Sequence, residues 1–235
     1  MNPYKLDTNF NFKINKLDTT TAEWCLRREF DAYKRYTQNG YFEKINSALR
    51  CGITTDQFVN DDILAIDKLF LTMPNKFRTK SPMTVYRGTV LTQELEDIIN
   101  GKTQSNIYTD KAFVSTTKSK QVAELFATKD DGIIMHINIP RGSRIIDDSN
   151  LPSYAGSKMD SEKEVLLPRN AQFRILSYNP LSRIVEAEYI GQKQPLEMPR
   201  IMEIKSSGQD ILANLNKEFI LKDIKIKNEY KNKIY

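Results

Sequence analysis

Apolar residues change their spacing at Pro82, and this change decides the fold class. Before Pro82 they recur every three or four positions, which predicts helices. After Pro82 they alternate over short runs bounded by turn residues, which predicts strands. The 235 residues contain no internal repeat and are enough for one full-sized domain. The pattern predicts an α+β fold, with a helical part at 1–82, a β core at 83–192 and a basic extension at 193–235.

Three apolar stripes predict helices in the first part. A capping box of Thr20 and Glu23 opens the first stripe, and Gly40 ends it. Gly52 ends the second, and the third must stop before Pro74. The stripes consist of Ala22, Leu26, Phe30 and Tyr33, then Phe42, Ile45 and Leu49, then Ile63, Ile66 and Phe70. Stripes of this kind usually pack into a core, so they suggest no function.

The second part is predicted to combine strands with two short helices. Thr92 and Ser119 are the expected N-caps of these helices, and Gly101 ends the first of them. The predicted strands are Met83–Tyr86, Ile133–Ile139, Ser143–Ile146, Lys163–Leu167, Gln172–Tyr178 and Ile184–Ile190. Their order favours a mixed, mainly antiparallel sheet. The polar loop at 147–161 is long enough to suggest a function of its own.

Composition narrows the chemistry that the chain can perform. The only histidine, His136, alternates with apolar residues as a strand residue does, and two cysteines without C-x-x-C spacing suggest no zinc site. Carboxylates, hydroxyls and arginines must therefore carry any catalysis, and no metal is expected. The net charge of +5 includes a lysine-rich end that is more typical of a solvated tail than of a nucleic-acid site. No membrane span or secretory signal is found, so a cytoplasmic location is expected for the chain as written.

Three motifs contain the candidate catalytic residues. Arg87 and Gly88 follow a predicted strand, Ser115 lies in the segment Phe-Val-Ser-Thr-Thr at 113–117, and Glu162 and Glu164 are one residue apart in another strand. Because alternate strand residues share a face, the two carboxylates are expected to project together. Taken singly, each motif is more often an ion pair, a helix cap or a solvated edge.

Together the motifs resemble the arginine, serine and glutamate class of mono-ADP-ribosyltransferases, whose pattern is a strand arginine, an aromatic-x-Ser-Thr-Ser segment and a Glu-x-Glu strand. The likeness covers roughly residues 20 to 190, including the segments 45–50, 137–142, 154–156 and 173–175. It is to the catalytic domains of actin-modifying binary toxins and related insecticidal toxins, and to bacteriophage arginine ADP-ribosyltransferases. The resemblance implies a two-sheet β-sandwich core of the ADP-ribosyltransferase type.

The resemblance also implies that NAD binds as co-substrate at Arg87, Gly88, Ser115, Phe126 and Glu164. Glu164 would hold the ribose and stabilise the positive charge that develops as nicotinamide leaves, while Ser115 would position Glu164. Arg87 offers a planar charged fork to the pyrophosphate, and Gly88 lets NAD approach the backbone. Phe126 is assigned to stacking on nicotinamide, with ordinary core packing as the alternative.

Glu162 and Tyr154 are the residues that the resemblance assigns to the acceptor. A glutamate at the position of Glu162 goes with arginine acceptors, because a carboxylate can orient a protonated guanidinium and take its proton. Two departures from the family pattern are Thr117, in place of the usual last serine, and a longer acceptor loop at 157–161. The longer loop leaves the target protein open.

The sequence therefore predicts an enzyme that transfers ADP-ribose from NAD to a protein side chain, with arginine favoured. The resemblance implies that the acceptor is actin or another host protein, and that the chain acts as a toxin, a secreted or injected effector, or a phage protein. One alternative is an NAD glycohydrolase, in which water captures the ribose. The other is a basic nucleic-acid-binding module without catalysis. Neither a membrane nor a nucleic acid is the expected partner.

Overall fold

The computed structural model describes residues 27–38, 40–72, 78–128, 131–151, 163–194 and 196–202. The helices in these ranges are α1 (Arg27–Tyr36), α2 (Tyr41–Cys51), α3 (Gln57–Thr72), α4 (Gln93–Ile99) and α5 (Lys120–Phe126). The strands are β1 (Ile53–Thr54), β2 (Met83–Val90), β3 (Ile107–Asp110), β4 (Val114–Thr117), β5 (Gly132–Ile139), β6 (Ile146–Asp147), β7 (Glu164–Leu167), β8 (Ala171–Asn179), β9 (Ile184–Gln192) and β10 (Arg200–Ile201). The predicted capping box of Thr20 and Glu23 lies outside the described residues.

The first three helices pack around one apolar cluster, as their sequence stripes predict. Gly52 ends α2 with φ 72°, and its backbone N–H donates to Ala48 O at 2.8 Å. This left-handed conformation favours glycine at a helix end. The cluster, here called the helical cluster, includes Phe30, Tyr33, Tyr36, Ile45, Leu49, Val59, Ile63, Ile66, Leu69, Phe70, Phe113, Ile146 and Leu166. Its last three members come from the β part, so the helices cover one face of the strands.

Eight strands form a mixed, mainly antiparallel sheet, which confirms the predicted fold class. Their order is β3-β8-β9-β5-β2-β4-β7-β6, and β5 and β9 are parallel neighbours. The register between β2 and β4 is a single described pair, Tyr86 with Thr117, so this pair joins the two halves of the sheet. A second apolar cluster, the strand cluster, includes Val85, Val114, Ile133, Met135, Ile137, Val165, Leu167, Phe173, Val185 and Tyr189.

Several elements differ from their predicted bounds. β2 continues to Val90, β6 is limited to two residues, and β7 begins at Glu164 because Lys163 has φ 48° and leaves the extended conformation. Neither β3 nor β4 was predicted, because their polar side chains obscure the alternation of apolar and polar residues that marks a strand. Both strands exist because β8 and β7 supply their hydrogen-bonding partners.

The chain after β9 returns to the helical part. β10 pairs with β1 in parallel. The buried Arg169, which lies between β7 and β8, also connects the strands to the helical part through an ion pair with Asp67 of α3.

His136 lies in β5 as predicted, with its Nδ1 2.9 Å from Glu186 Oε1 and its ring edge-on to Tyr86. In the described part of the chain, no helix has the length and apolar character needed to cross a membrane.

Candidate active site

Glu164 is the first residue of β7, and its side chain faces the helical part. β7 pairs with β4 in an antiparallel register that sets Thr117 opposite Glu164 and Ser115 opposite Leu166. Leu166 belongs to the helical cluster, whereas Val165 belongs to the strand cluster. Since alternate strand residues share a face, Glu164 points towards the helices with Leu166. Only 7% of Glu164 is exposed, so its carboxylate lies in a largely dry environment.

Ser115 and Glu164 are in direct contact. The Ser115 hydroxyl donates a hydrogen bond of 2.6 Å to Glu164 Oε1. The contact runs diagonally across the β4–β7 pair, a distance that neighbouring side chains on one sheet face can span. Ser115 itself is exposed, so this side of the carboxylate is nearest to solvent. The structure thus joins two residues that the sequence assigned to the same site.

The second oxygen of Glu164 is held by a residue that sequence reasoning missed. The hydroxyl of Tyr33, in α1, donates a hydrogen bond of 3.1 Å to Glu164 Oε2. Tyr33 is fully buried, and burial, followed by the charge of Glu164, raises the pKa of its phenol well above the ordinary value. The apolar stripe that contains Tyr33 predicted only core packing. A tyrosine at a core position was the one sequence signal of a polar partner.

Arg87 lies within β2 and connects to the serine strand. Its guanidinium donates to Ser115 O at 3.0 Å and to Asp110 Oδ2 at 3.4 Å. Arg50, from the end of α2, approaches the same carboxylate oxygen at 3.3 Å. Asp110 is buried and also accepts a hydrogen bond from the backbone of Ala112.

One carboxylate is therefore shared between two arginines, and this group of three side chains keeps a net positive charge. That charge suits a diphosphate, because guanidinium groups offer forked donors to phosphate oxygens. Arg50 was not predicted, and no sequence spacing links it to Arg87. Only the fold brings the two side chains to Asp110.

Gly88 is required where α5 packs on β2. A Cβ added there would lie 2.0 Å from Ala123 O and 2.9 Å from the Cβ of Phe126. Close helix packing thus accounts for the glycine without a ligand, and an approach of NAD to Gly88 stays a prediction. The side chain of Phe126 is 54% exposed, which excludes the core alternative. Its stacking on nicotinamide also stays a prediction.

The two residues assigned to the acceptor, Tyr154 and Glu162, lie outside the described residues. The expectation that Glu162 and Glu164 share a face assumed one continuous strand. Lys163 has φ 48°, in the left-handed region, so strand alternation does not carry across it. That the two carboxylates point to the same side stays a prediction, and strand alternation no longer supports it.

Lys118 holds the described ends of the polar loop. Its Nζ lies 2.7 Å from both carboxylate oxygens of Asp147 and 3.0 Å from Ser149 Oγ. Its backbone N–H donates to Lys163 O at 3.2 Å. One residue directly after β4 therefore fixes where the loop leaves the fold and where it returns to Glu164.

The site provides a fixed carboxylate, that of Glu164, and a cationic group formed by Arg50 and Arg87. Ser115 lies between them and contacts both Glu164 and Arg87. A carboxylate beside a sugar can stabilise the positive charge of an oxocarbenium-like transition state. The arginine pair can hold phosphate groups at the same time. Among the described residues, no group of three or more His, Cys, Asp or Glu side chains could hold a metal ion.

The chain is similar to proteins of a known family. Residues 10–229 match the family model described as ADP-ribosyltransferase exoenzyme. No curated protein matches the chain.

Solved structures share the fold. Plx2a, an ADP-ribosyltransferase toxin from Paenibacillus larvae, is 21% identical with a TM-score of 0.56, over 73% of this chain and 90% of that one. C3stau2 from S. aureus, determined with NAD, is 18% identical with a TM-score of 0.53, over 74% and 92%. Vis toxin, an ADP-ribosyltransferase from Vibrio splendidus, is 21% identical with a TM-score of 0.53, over 79% and 83%.

Proposed function

The chain belongs to the ADP-ribosyltransferase exoenzyme family, a family of NAD-dependent mono-ADP-ribosyltransferases, and on that premise we propose that it modifies an arginine side chain of a host protein. The observation that best supports the use of NAD is the contact between Ser115 and Glu164, with the Arg87 guanidinium on the backbone of Ser115. These are the three residues that the family pattern assigns to NAD. Arginine as the acceptor rests on the family pattern at Glu162. The chain acts in a host cell as a secreted or injected effector.

Glu164 carries the first half of the reaction. As the bond between nicotinamide and ribose breaks, its electrons pass to the nicotinamide nitrogen and the ribose carbon gains positive charge. The Glu164 carboxylate accepts a hydrogen bond from a ribose hydroxyl and stabilises that charge, an effect that is strongest in a largely dry site. Ser115 keeps one carboxylate oxygen in place during this step.

Arg87 and Arg50 bind the diphosphate of NAD. Asp110 neutralises only one of the two guanidinium charges and orients both groups. The remaining positive charge attracts the pyrophosphate, and the neighbouring Ser115 places the ribose next to Glu164. Phe126 stacks against the nicotinamide ring from its exposed position on α5.

Glu162 and Tyr154 serve the acceptor. A protonated guanidinium is a poor nucleophile. Glu162 therefore orients the acceptor arginine and takes a proton from it as a guanidinium nitrogen forms the bond to the ribose carbon. Tyr154 docks the target protein. The target is actin or another host protein.

The test combines the protein with labelled NAD and a eukaryotic cell lysate. Label on protein together with nicotinamide release supports transfer, and mass spectrometry of the labelled protein names the target and the side chain. A Glu164→Gln variant serves as the control and is expected to lose both signals.

Three other outcomes would each contradict a different part of the proposal. Free ADP-ribose without labelled protein overturns transfer in favour of NAD hydrolysis. Modification at a residue other than arginine overturns the acceptor assignment. A protein that leaves NAD intact overturns the whole proposal and favours the basic binding module.

A further inference from the structure

We infer that Tyr33 is a positioning residue for Glu164, and that Tyr33 and Ser115 together hold the carboxylate in its working orientation. The inference rests on the proposed use of Glu164 in NAD cleavage. It gives the helical part of the chain a role in the reaction, beyond its packing against the strands.

The two hydrogen bonds fix different oxygens of Glu164. Ser115 Oγ donates to Oε1 at 2.6 Å, and Tyr33 OH donates to Oε2 at 3.1 Å. The last torsion of a glutamate side chain has a broad energy minimum, so a carboxylate held at one oxygen can still rotate. A carboxylate held at both oxygens cannot.

The surroundings keep Tyr33 a hydrogen-bond donor. Its ring is fully buried in the helical cluster. Burial is the main reason that the pKa of its phenol is raised, and three other groups add to the shift: Glu164 of β7, Asp148 of the turn after β6, and Tyr36 of α1. The phenol therefore stays protonated throughout the pH range of ordinary assays. A donor of this kind favours the ionised form of its carboxylate partner.

Packing alone does not explain the hydroxyl. A phenylalanine would fill the same apolar space between the helices, and a buried hydroxyl without a partner destabilises a fold. The partner of the Tyr33 hydroxyl is Glu164, 131 residues away in the chain. The hydroxyl is thus matched to the carboxylate and not to the core around it.

The experiment measures nicotinamide release by the full chain carrying Tyr33→Phe. We expect kcat to fall roughly ten- to a hundredfold, the range for a lost hydrogen bond to a charged group. The KM for NAD stays nearly constant, because the carboxylate orientation matters most in the transition state. The acid limb of the pH profile of kcat moves to higher pH, since the ionised carboxylate has lost a donor.

A matched control is Tyr189→Phe. Tyr189 is a buried tyrosine of the strand cluster, with 5% exposure and no contact to Glu164 among the described residues. Its loss of a hydroxyl is expected to leave kcat and the pH profile unchanged. Thermal unfolding of each variant shows that the fold is retained.

A double variant separates positioning from a general structural effect. Ser115→Ala and Tyr33→Phe act on one carboxylate, so their effects on kcat are expected to be far from additive. Additive effects, or an unchanged acid limb in Tyr33→Phe, overturn the inference. Absence of nicotinamide release by the wild-type protein overturns the proposed function instead, so the two failures are distinct.

Discussion

The hydroxyl of Ser115 lies 2.6 Å from Glu164 Oε1, although 49 residues separate the two in sequence. The register of β4 on β7 produces this distance, because Ser115 pairs with Leu166 and Glu164 pairs with Thr117. The backbone of the same serine accepts a hydrogen bond from Arg87. Ser115 therefore links the carboxylate to the cationic side of the site.

Removal of the Ser115 hydroxyl tests this link. Ser115→Ala is expected to lower kcat for nicotinamide release about tenfold or more, the effect of losing one hydrogen bond to a charged group. The KM for NAD changes little, because the backbone carbonyl that Arg87 uses is still present. Steady-state kinetics check both values. Ser182→Ala, at the exposed turn between β8 and β9, is the control and keeps wild-type rates.

Glu162→Gln separates transfer from hydrolysis. The amide cannot accept the proton of an arginine acceptor, so ADP-ribosylation of protein is expected to be lost. Water needs no such activation by Glu162, so nicotinamide release continues. The measurement is labelled protein and free nicotinamide in one reaction. Equal loss of both products would show that Glu162 is not specific to the acceptor.

Arg87→Lys tests the diphosphate contact. Lysine keeps the charge but cannot form a forked contact with phosphate or bridge Ser115 O and Asp110 as the guanidinium does. The KM for NAD is expected to rise about tenfold or more, with a smaller change in kcat. Arg174→Lys is the control, because Arg174 is a half-exposed arginine paired with Glu188. An unchanged KM in Arg87→Lys would remove Arg87 from the NAD site.

The sequence predicts a site residue when that residue lies in a short recognisable motif, and misses it when the role depends on a contact that is distant in sequence. Ser115 and Glu164 lie in short motifs, so their partnership could be inferred before the strands were paired. Tyr33 sits in a helical stretch without a motif, and Arg50 ends the segment 45–50, to which the resemblance assigned no role. The contacts of both residues depend on the docking of the helices against the sheet. Periodicity cannot show such long-range contacts, because it reports which face is buried and not what it meets.

The same limit explains the errors in the strands. β3 has the sequence Ile-Tyr-Thr-Asp and is stabilised by its partner β8, which its own composition does not reveal. The predicted strand Lys163–Leu167 is confirmed except at its first residue, and that difference has another cause. A left-handed residue at the start of β7 is a backbone feature that lysine does not signal, as glycine or asparagine would.

Gly88→Ala tests the packing of α5 on β2. The added Cβ would meet the backbone oxygen of Ala123 at 2.0 Å, so the helix must move or the fold must strain. We expect a loss of about 3 kcal/mol or more in the free energy of unfolding, measured by chemical denaturation. Gly101→Ala is the control, because Gly101 has φ 67° with open space around it and is expected to cost only about 1 kcal/mol. Equal losses would mean that α5 adapts to the methyl group.

Lys163 sets the direction in which the chain enters β7, and three substitutions separate its backbone from its side chain. Glycine accepts φ 48° without strain, so Lys163→Gly is expected to keep transfer activity and to change stability by no more than about 1 kcal/mol. Lys163→Ala removes the exposed side chain and keeps activity as well. Proline fixes φ near −65°, so Lys163→Pro must turn the backbone beside Glu164 and is expected to abolish nicotinamide release. The assay compares the three variants at matched concentrations of folded protein. If Lys163→Ala lost activity while Lys163→Pro retained it, the side chain and not the backbone turn would be the feature that the reaction needs.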